Sequence, residues 1–275
     1  MAELKLVLYG KGGVGKSTIA THLSYAFAAR GLRVLHVGCD PKMDSCLRLV
    51  ERKDFPCLVD FIEDKSLQSR RPADLIVRGK RGIDAIETGG PEPGLGCAGR
   101  GVATLCDFLD QHKVTAGPYD ALVFDVLGDL VCGGFVAPLR YGMGDRVVIV
   151  ASDELMSLYA ANRIASVVLH HVDEGVRLAG IVFNVKTRSP RARQALERFA
   201  RRIRARVLGF IPWEPVVKAA ERKDQTVFEH APRSRAAARF RELAARVSAP
   251  LPKGLPAPTP LKRGEFLAFA RGLDL

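Results

Sequence analysis

The stretch Tyr9-Gly10-Lys11-Gly12-Gly13-Val14-Gly15-Lys16-Ser17-Thr18 decides how this chain is read. It follows an apolar run at 4–8, which reads as a strand. It opens a helical pattern at 18–29, with Ile19, Leu23, Ala26 and Phe27 on one face and Gly31 as its stop. Strand, G-x-x-x-x-G-K-S and helix in that order are the parts of a phosphate-binding loop. Glycines let the backbone curl so that its N–H groups face phosphate oxygens, and the positive end of the following helix adds to the attraction. In this reading Gly12, Gly13, Val14, Gly15, Lys16, Ser17 and Thr18 hold a nucleotide. Lys16 reaches the β- and γ-phosphates, and the Ser17 hydroxyl ligates Mg²⁺.

Outward from the loop, short apolar runs alternate with longer helical ones. Strands are expected at 33–37, 82–87, 121–124, 146–151, 178–184 and 207–211. Helical stretches are expected at 58–62, 74–77, 156–170, 190–206, 216–222, 234–247 and 265–271, and another carries Val102, Leu105, Cys106 and Leu109 on one face. The alternation predicts an α/β fold with a doubly wound, mostly parallel sheet. One domain is expected over 1–248. Five prolines between 250 and 260 mark 249–275 as an extended tail.

Ligands of such sheets bind beyond the carboxyl ends of the strands. Asp40 and Asp44 follow the second strand, where either could hold Mg²⁺ or a water. Asp125 closes the strand at 121–124, and Asp125-x-x-Gly128 has the form of a γ-phosphate sensor. Asn184 ends another strand and is a candidate adenine contact. Lys11 adds a second lysine inside the loop, and Lys-Gly-Gly-x-Gly-Lys-Ser resembles the deviant Walker A ATPases. In that class the early lysine reaches the nucleotide of the partner subunit. The class spans DNA-partitioning and septum-positioning ATPases, metal-insertion chaperones and the iron protein of nitrogenase.

With 275 residues the chain is long enough for a buried core. No apolar run approaches the ~20 residues of a membrane span, and no signal-peptide pattern opens the chain. A cytoplasmic protein without a membrane partner is expected. The formal charge is +12, much of it arginine in helical patterns of the second half. Solvated helix faces, an acidic docking partner and nucleic acid all fit that excess. No aromatic residues interleave with it as a base-stacking platform would require, so no nucleic-acid partner is expected.

Six cysteines (39, 46, 57, 97, 106, 132) lie in the first half. Cys97 and Cys132 sit between glycines in loops after strands; the other four read as core or near-surface thiols. An iron–sulfur cluster usually needs four thiolates, and no local cysteine run supplies them. Two per chain become four across a two-fold axis. A dimer closing over nucleotide would thus place one 4Fe–4S cluster on its axis. Cys132 lies seven residues past Asp125, a link of at most ~23–25 Å, so a change at the phosphate can be felt at the cluster.

Four stretches then carry a closer resemblance: 10–18, Gly38-Cys39-Asp40-Pro41-Lys42-Met43-Asp44-Ser45, 89–101 around Cys97, and 125–135 around Cys132. Together with 158–162 and 210–212 they resemble the nitrogenase iron protein superfamily over roughly 4–247. The resemblance implies a homodimeric, ATP-dependent one-electron donor that uses MgATP and is itself reduced by a ferredoxin or flavodoxin. Cys97 and Cys132 would ligate the shared cluster, and Lys11 would act across the interface. Asp40 and Asp129 would serve hydrolysis or its coupling, and Asp125 would link nucleotide to cluster. Asn184, Pro212 and Glu214 would line the adenine site. Arg100 and Arg140 would face a two-subunit nitrogenase-like catalytic metalloenzyme. Arg100 also matches a position that is ADP-ribosylated in some members.

The basic charge, Met43, Tyr141-Gly142-Met143, Trp213-Glu214 and the tail depart from the nitrogenase pattern. They favour a nitrogenase-like reductase outside dinitrogen fixation, with carbon–sulfur bond reduction the preferred reaction. A true nitrogenase iron protein, a protochlorophyllide or nickel-tetrapyrrole reductase subunit, and more remotely a partitioning or metallochaperone ATPase are the alternatives.

Overall fold

The first strand, β1 (Leu4–Tyr9), feeds two cores at once: Leu4, Leu6 and Leu8 face one side of the sheet, Val7 and Tyr9 the other. A strand covered on both faces is what a central strand of a parallel sheet requires. In the computed structural model, which describes residues 2–51, 55–90, 96–127, 133–187 and 189–273, β1 lies near the middle of an eight-stranded sheet.

The elements run β1, α1 (Lys16–Ala29), β2 (Val34–Cys39), α2 (Leu58–Glu63), α3 (Pro72–Leu75), β3 (Val77–Arg78), β4 (Asp84–Glu87), α4 (Ala98–Gln111), β5 (Ala121–Val126), α5 (Ala137–Arg140), β6 (Arg146–Ala151) and α6 (Leu155–His170). They continue with β7 (Arg177–Val185), α7 (Pro190–Arg202), β8 (Val207–Pro212), α8 (Pro215–Glu221), α9 (Val227–His230), α10 (Arg235–Ser248) and α11 (Arg263–Ala270). Strand order is β3-β4-β2-β5-β1-β6-β7-β8, and every neighbouring pair is parallel except β3–β4. The connections reverse direction on either side of β1, so the loop after β1 opens at the switch point of a doubly wound sheet. α1, α9 and α10 cover one face; α4, α6, α7 and α11 cover the other.

Two expected helices are corrected. The stretch 74–77 divides: α3 ends at Leu75, and Val77 and Arg78 pair with Ala85 and Asp84 as an antiparallel edge strand. The helix expected at 190–206 stops at Arg202, because Ile203 is buried and Arg204 turns with φ 53° before β8 begins. Neither break shows in apolar spacing, since both are set by pairing and packing with distant residues.

The proline-rich segment lies on the body of the protein. Leu261 and Phe266 are buried, and Phe266 packs edge-on to Tyr159 of α6 and Phe199 of α7. The buried Asn162 clamps it: its Nδ2 donates to the Leu261 carbonyl at 2.8 Å, and its Oδ1 accepts the Leu261 N–H at 2.7 Å. Asn162→Ala leaves a buried donor and acceptor unpaired and is expected to cost about 2–4 kcal/mol. A urea unfolding midpoint equal to that of the parent would contradict this.

Two of the arginines in the second half are satisfied within their own helix. Arg193 pairs with Glu197 and Arg246 with Glu242, each one turn away on the same helix, which supports solvated helix faces.

Candidate functional site

The carboxyl ends of four adjacent strands meet in one row. Leu8 of β1 sits beside Asp125 of β5, Asp125 beside Gly38 of β2, and Gly38 beside Glu87 of β4. The described segments that follow those strands therefore leave from one row.

The loop between β1 and α1 has the curl its glycines imply. Gly13 and Gly15 take φ of +77° and +87°, where side-chain-bearing residues are strained. A Cβ on Gly15 would also run into the Asn184 amide. That amide donates to the Val14 carbonyl at 2.8 Å, so Asn184 braces the loop from β7. α1 starts at Lys16 with no side chain capping it, which leaves its first N–H groups for a phosphate.

Lys16 is nearly buried and is paired with the fully buried Asp125. Burial alone would raise the Asp125 carboxyl; Lys16 and the Ser45 and Ser17 hydroxyls outweigh it and hold Asp125 below the usual carboxylate range. Ser17 is thus beside Asp125, where the metal-ligand reading puts both. Asp40 lies at the same strand ends, its Oδ1 accepting the Lys42 N–H at 3.0 Å. Asp44 Oδ1 is buried without a hydrogen-bond partner, and burial, with Asp40 and Asp125 nearby, raises its carboxyl. An orphaned acidic oxygen beside an ionised Asp125 and a hydroxyl is a donor set that suits Mg²⁺, so the residues fit the metal the loop implies.

Lys11 is half-exposed and lies 3.8 Å from Glu154, which also accepts from Lys186 at 2.8 Å. Reaching a second subunit's nucleotide requires Lys11 to leave Glu154, a residue that sequence reasoning missed. Two cavities flank the loop. One of about 260 Å³ is lined by Lys11, Gly12, Gly13, Glu154, Asn184 and Trp213. The other, about 170 Å³, is lined by Thr18, Asn184, Pro212, Trp213, Glu214 and Glu221. Asn184, Pro212 and Glu214 thus line one cavity, and exposed Trp213 lines both. Thr18 turns outward to Glu221, at 3.0 Å, and Glu214 holds Arg239 at 2.5 Å.

Cys97 is exposed at the start of α4, the positive end of a 14-residue helix, a setting that favours thiolate. Cys132 and Asp129 lie outside the described residues, but the turn immediately after Cys132 is placed. Gly134 packs so closely on the Gly99 carbonyl that a Cβ would have no room. The segment leaving Cys132 is therefore seated on the first turn of the helix that Cys97 begins. These residues fit a cluster drawing one ligand from each segment. Tyr9, the last residue before the loop, donates its hydroxyl to the Phe135 carbonyl at 2.8 Å and ties that turn to β1. On the other side Pro41 packs against Gly90 at the start of the Cys97 loop. Arg100 and Arg140 are exposed on α4 and α5, which pack together. Cys39, Cys46, Cys57 and Cys106 are buried, and burial pushes all four thiols up.

The comparisons with known proteins agree with this geometry. The model of the 4Fe–4S iron sulfur cluster binding proteins, NifH/frxC family, matches residues 4–273. The chain belongs to this family. A nitrogenase iron protein of Methanospirillum hungatei is 38% identical over 267 residues, covering 96% of this chain and 94% of the relative. Among solved structures, the septum site-determining protein MinD of Pyrococcus horikoshii, complexed with Mg-ADP, superposes with TM-score 0.69 at 21% identity, covering 90% of this chain and 96% of the other. A ParA family ATPase of Chlorobium tepidum gives 0.67 at 18% identity, covering 88% and 98%. These last two share the fold. Membership in the NifH/frxC family makes the protein an ATP-dependent electron donor whose cofactors are a 4Fe–4S cluster and MgATP. No helix among the described residues is long and apolar enough to cross a membrane.

Glu87, missed from sequence, belongs to the same row. It is buried against Gly38 and accepts the Cys46 N–H at 2.8 Å. Burial pushes its carboxyl up to about 8, with Asp125 and Asp44 adding to the rise. From the ordinary value of 4.5 to about 8 the unfolded chain releases this proton and the folded chain keeps it. The contribution therefore lowers stability as pH rises through that window, by up to about 1.4 kcal/mol per pH unit. Glu87→Gln is expected to flatten that decline; an unchanged pH–stability slope between pH 5 and 8 would contradict the assignment.

Proposed function

We propose that two copies of this chain hold one 4Fe–4S cluster between their Cys97 and Cys132 thiolates and deliver single electrons to a separate, two-subunit nitrogenase-like catalytic component. The observation that carries this reading is the seating of Gly134 on Gly99. It ties the turn that follows Cys132 to the first turn of the helix that Cys97 begins, so that one chain would offer two ligands where a cluster needs four. The cluster, when bound, supplies the one-electron centre. The chain's own residues do the rest. Ser17 and Asp125 hold Mg²⁺, Lys16 takes the phosphates, and Lys11 leaves Glu154 for the partner subunit's nucleotide. Asp40 and Asp129 serve hydrolysis. Tyr9, through Phe135, and Pro41, through Gly90, carry the nucleotide state to the cysteine segments. Arg100 and Arg140 dock the catalytic component, and a ferredoxin or flavodoxin supplies the electrons.

Tyr141 and Trp213 are both exposed, and Tyr141 is held by Asp107. An aromatic residue beside Arg140 supports a partner other than dinitrogenase, with carbon–sulfur bond reduction the favoured reaction. The test is an anaerobic pull-down from native extract with the tagged protein locked by ADP and aluminium fluoride. The expected result is a two-subunit metalloenzyme, whose own cofactor names the substrate class. An intact iron-loaded dimer that captures no such enzyme would overturn the reading.

A further inference from the structure

Behind Asp125 runs a buried line of hydrogen bonds that the nucleotide chemistry above does not use. The Ser45 hydroxyl donates to Asp125 Oδ2 at 2.6 Å. His36 Nε2 lies 2.8 Å from the same Ser45 oxygen, and His36 Nδ1 lies 2.8 Å from Ser24 Oγ. All four residues are fully buried.

Proton bookkeeping fixes every direction in this line. Asp125 faces the Lys16 ammonium through Oδ1 and accepts the Ser45 hydroxyl through Oδ2. Ser45 has one hydroxyl proton and spends it on Asp125, so its oxygen accepts from His36. His36 Nε2 must then carry a hydrogen. A neutral imidazole has only one N–H, so Nδ1 accepts from the Ser24 hydroxyl. The ring is neutral: burial pushes it down to about 4, with Asp125 raising it and Lys16 and Arg48 lowering it. Ser24 donates to His36, His36 to Ser45, and Ser45 to Asp125. The Ser45 carbonyl meanwhile accepts from Thr21 Oγ1 of α1 at 3.0 Å, which pins the backbone of that residue.

We infer that His36 is a positioning residue of the metal–nucleotide site, aiming the Ser45 hydroxyl so that the Asp125 carboxylate stays oriented when Lys16 leaves it for the phosphates. The inference rests on the MgATP reading. Without nucleotide, Asp125 has Lys16, Ser45 and Ser17 as partners. Once Lys16 turns to phosphate, the neutral hydroxyls and the metal must hold a buried carboxylate. A donor behind Ser45 polarises its O–H and strengthens that bond. Groups in this position behind a metal ligand typically change metal affinity by about 10–100-fold.

The measurement is the dissociation constant of Mn²⁺ in the ADP complex, from EPR of free Mn²⁺, alongside ADP affinity in excess chelator. His36→Leu fills the space without a donor and is expected to weaken Mn²⁺ about tenfold, the lower end of that range, with metal-free ADP binding retained. His36→Gln places an amide N–H near Nε2 and should recover most of the loss. Ser24→Ala removes only the donor that fixes the tautomer and should give a smaller loss in the same direction. It also serves as the test if His36→Leu does not fold. Mn²⁺ affinity unchanged in Ser24→Ala and in any folded His36→Leu would overturn the inference. So would equal loss in His36→Gln and His36→Leu, or metal-free ADP binding lost in parallel with Mn²⁺. If the parent protein binds neither ADP nor Mn²⁺, the MgATP reading itself fails, a result distinct from these.

Discussion

Lys16→Gln is expected to abolish the response to nucleotide while leaving the iron in place. In the proposed site Lys16 is the charged donor to the phosphates, and removing one such contact from a transferring phosphoryl group costs about 10²–10³-fold in turnover. Its burial adds a second effect. The Lys16 ammonium is the cation for a fully buried Asp125. Removing one partner of a buried pair costs about 3–5 kcal/mol, because the other charge is left uncompensated. Glutamine keeps an N–H to offer Asp125, so Lys16→Met should be the less stable variant. Adding Asp125→Leu to Lys16→Met should restore stability without restoring hydrolysis. In the parent, MgATP should speed removal of iron by a chelator; in Lys16→Gln that rate should ignore MgATP. Loss of iron from Lys16→Gln at the outset would contradict a site built from separate nucleotide and cysteine segments.

Cys97→Ser should take the iron from about four per dimer to near zero, since each protomer would lose one of its two thiolates. This variant separates ligation from folding unusually well. Cys97 stands at the N-cap of α4, a position where serine is among the best residues, worth up to about 1 kcal/mol over poor caps. The fold should therefore hold while the cluster is lost. Iron analysis of anaerobically purified protein, with an unfolding curve of the same sample, decides it. Full iron in a folded Cys97→Ser would remove Cys97 from the ligand set. Cys132→Ser should behave alike in iron content.

The features that local sequence does not show share a cause. Val77 reads as helical from its neighbours, yet it pairs with Ala85 on β4. The Thr18 hydroxyl is bonded to Glu221, 203 residues away. Asn184 braces the loop through Val14. In each case the deciding partner is remote in sequence, and local propensity carries no record of it.

What the chain declares by itself is whatever can be built from neighbours. Glycines at Gly13 and Gly15 are demanded by local backbone geometry, Lys16 and Ser17 follow them at fixed spacing, and apolar runs ending in Asp40 and Asp125 mark strand ends facing a ligand. Those short-range constraints suffice for the fold class, the nucleotide loop and the two cysteine segments. Tertiary structure alone decides the rest: which strands are adjacent, and hence that Asp125, Gly38 and Glu87 share a row; that Glu154 holds Lys11; that Gly134 rests on Gly99; and that Ser24 and His36 stand behind Ser45 and Asp125. A histidine inside an apolar strand pattern looks like ordinary core until the sheet is closed. Only then does the lack of water press buried polar atoms to find partners, and along Ser24, His36, Ser45 and Asp125 the direction of the hydrogen bonds follows.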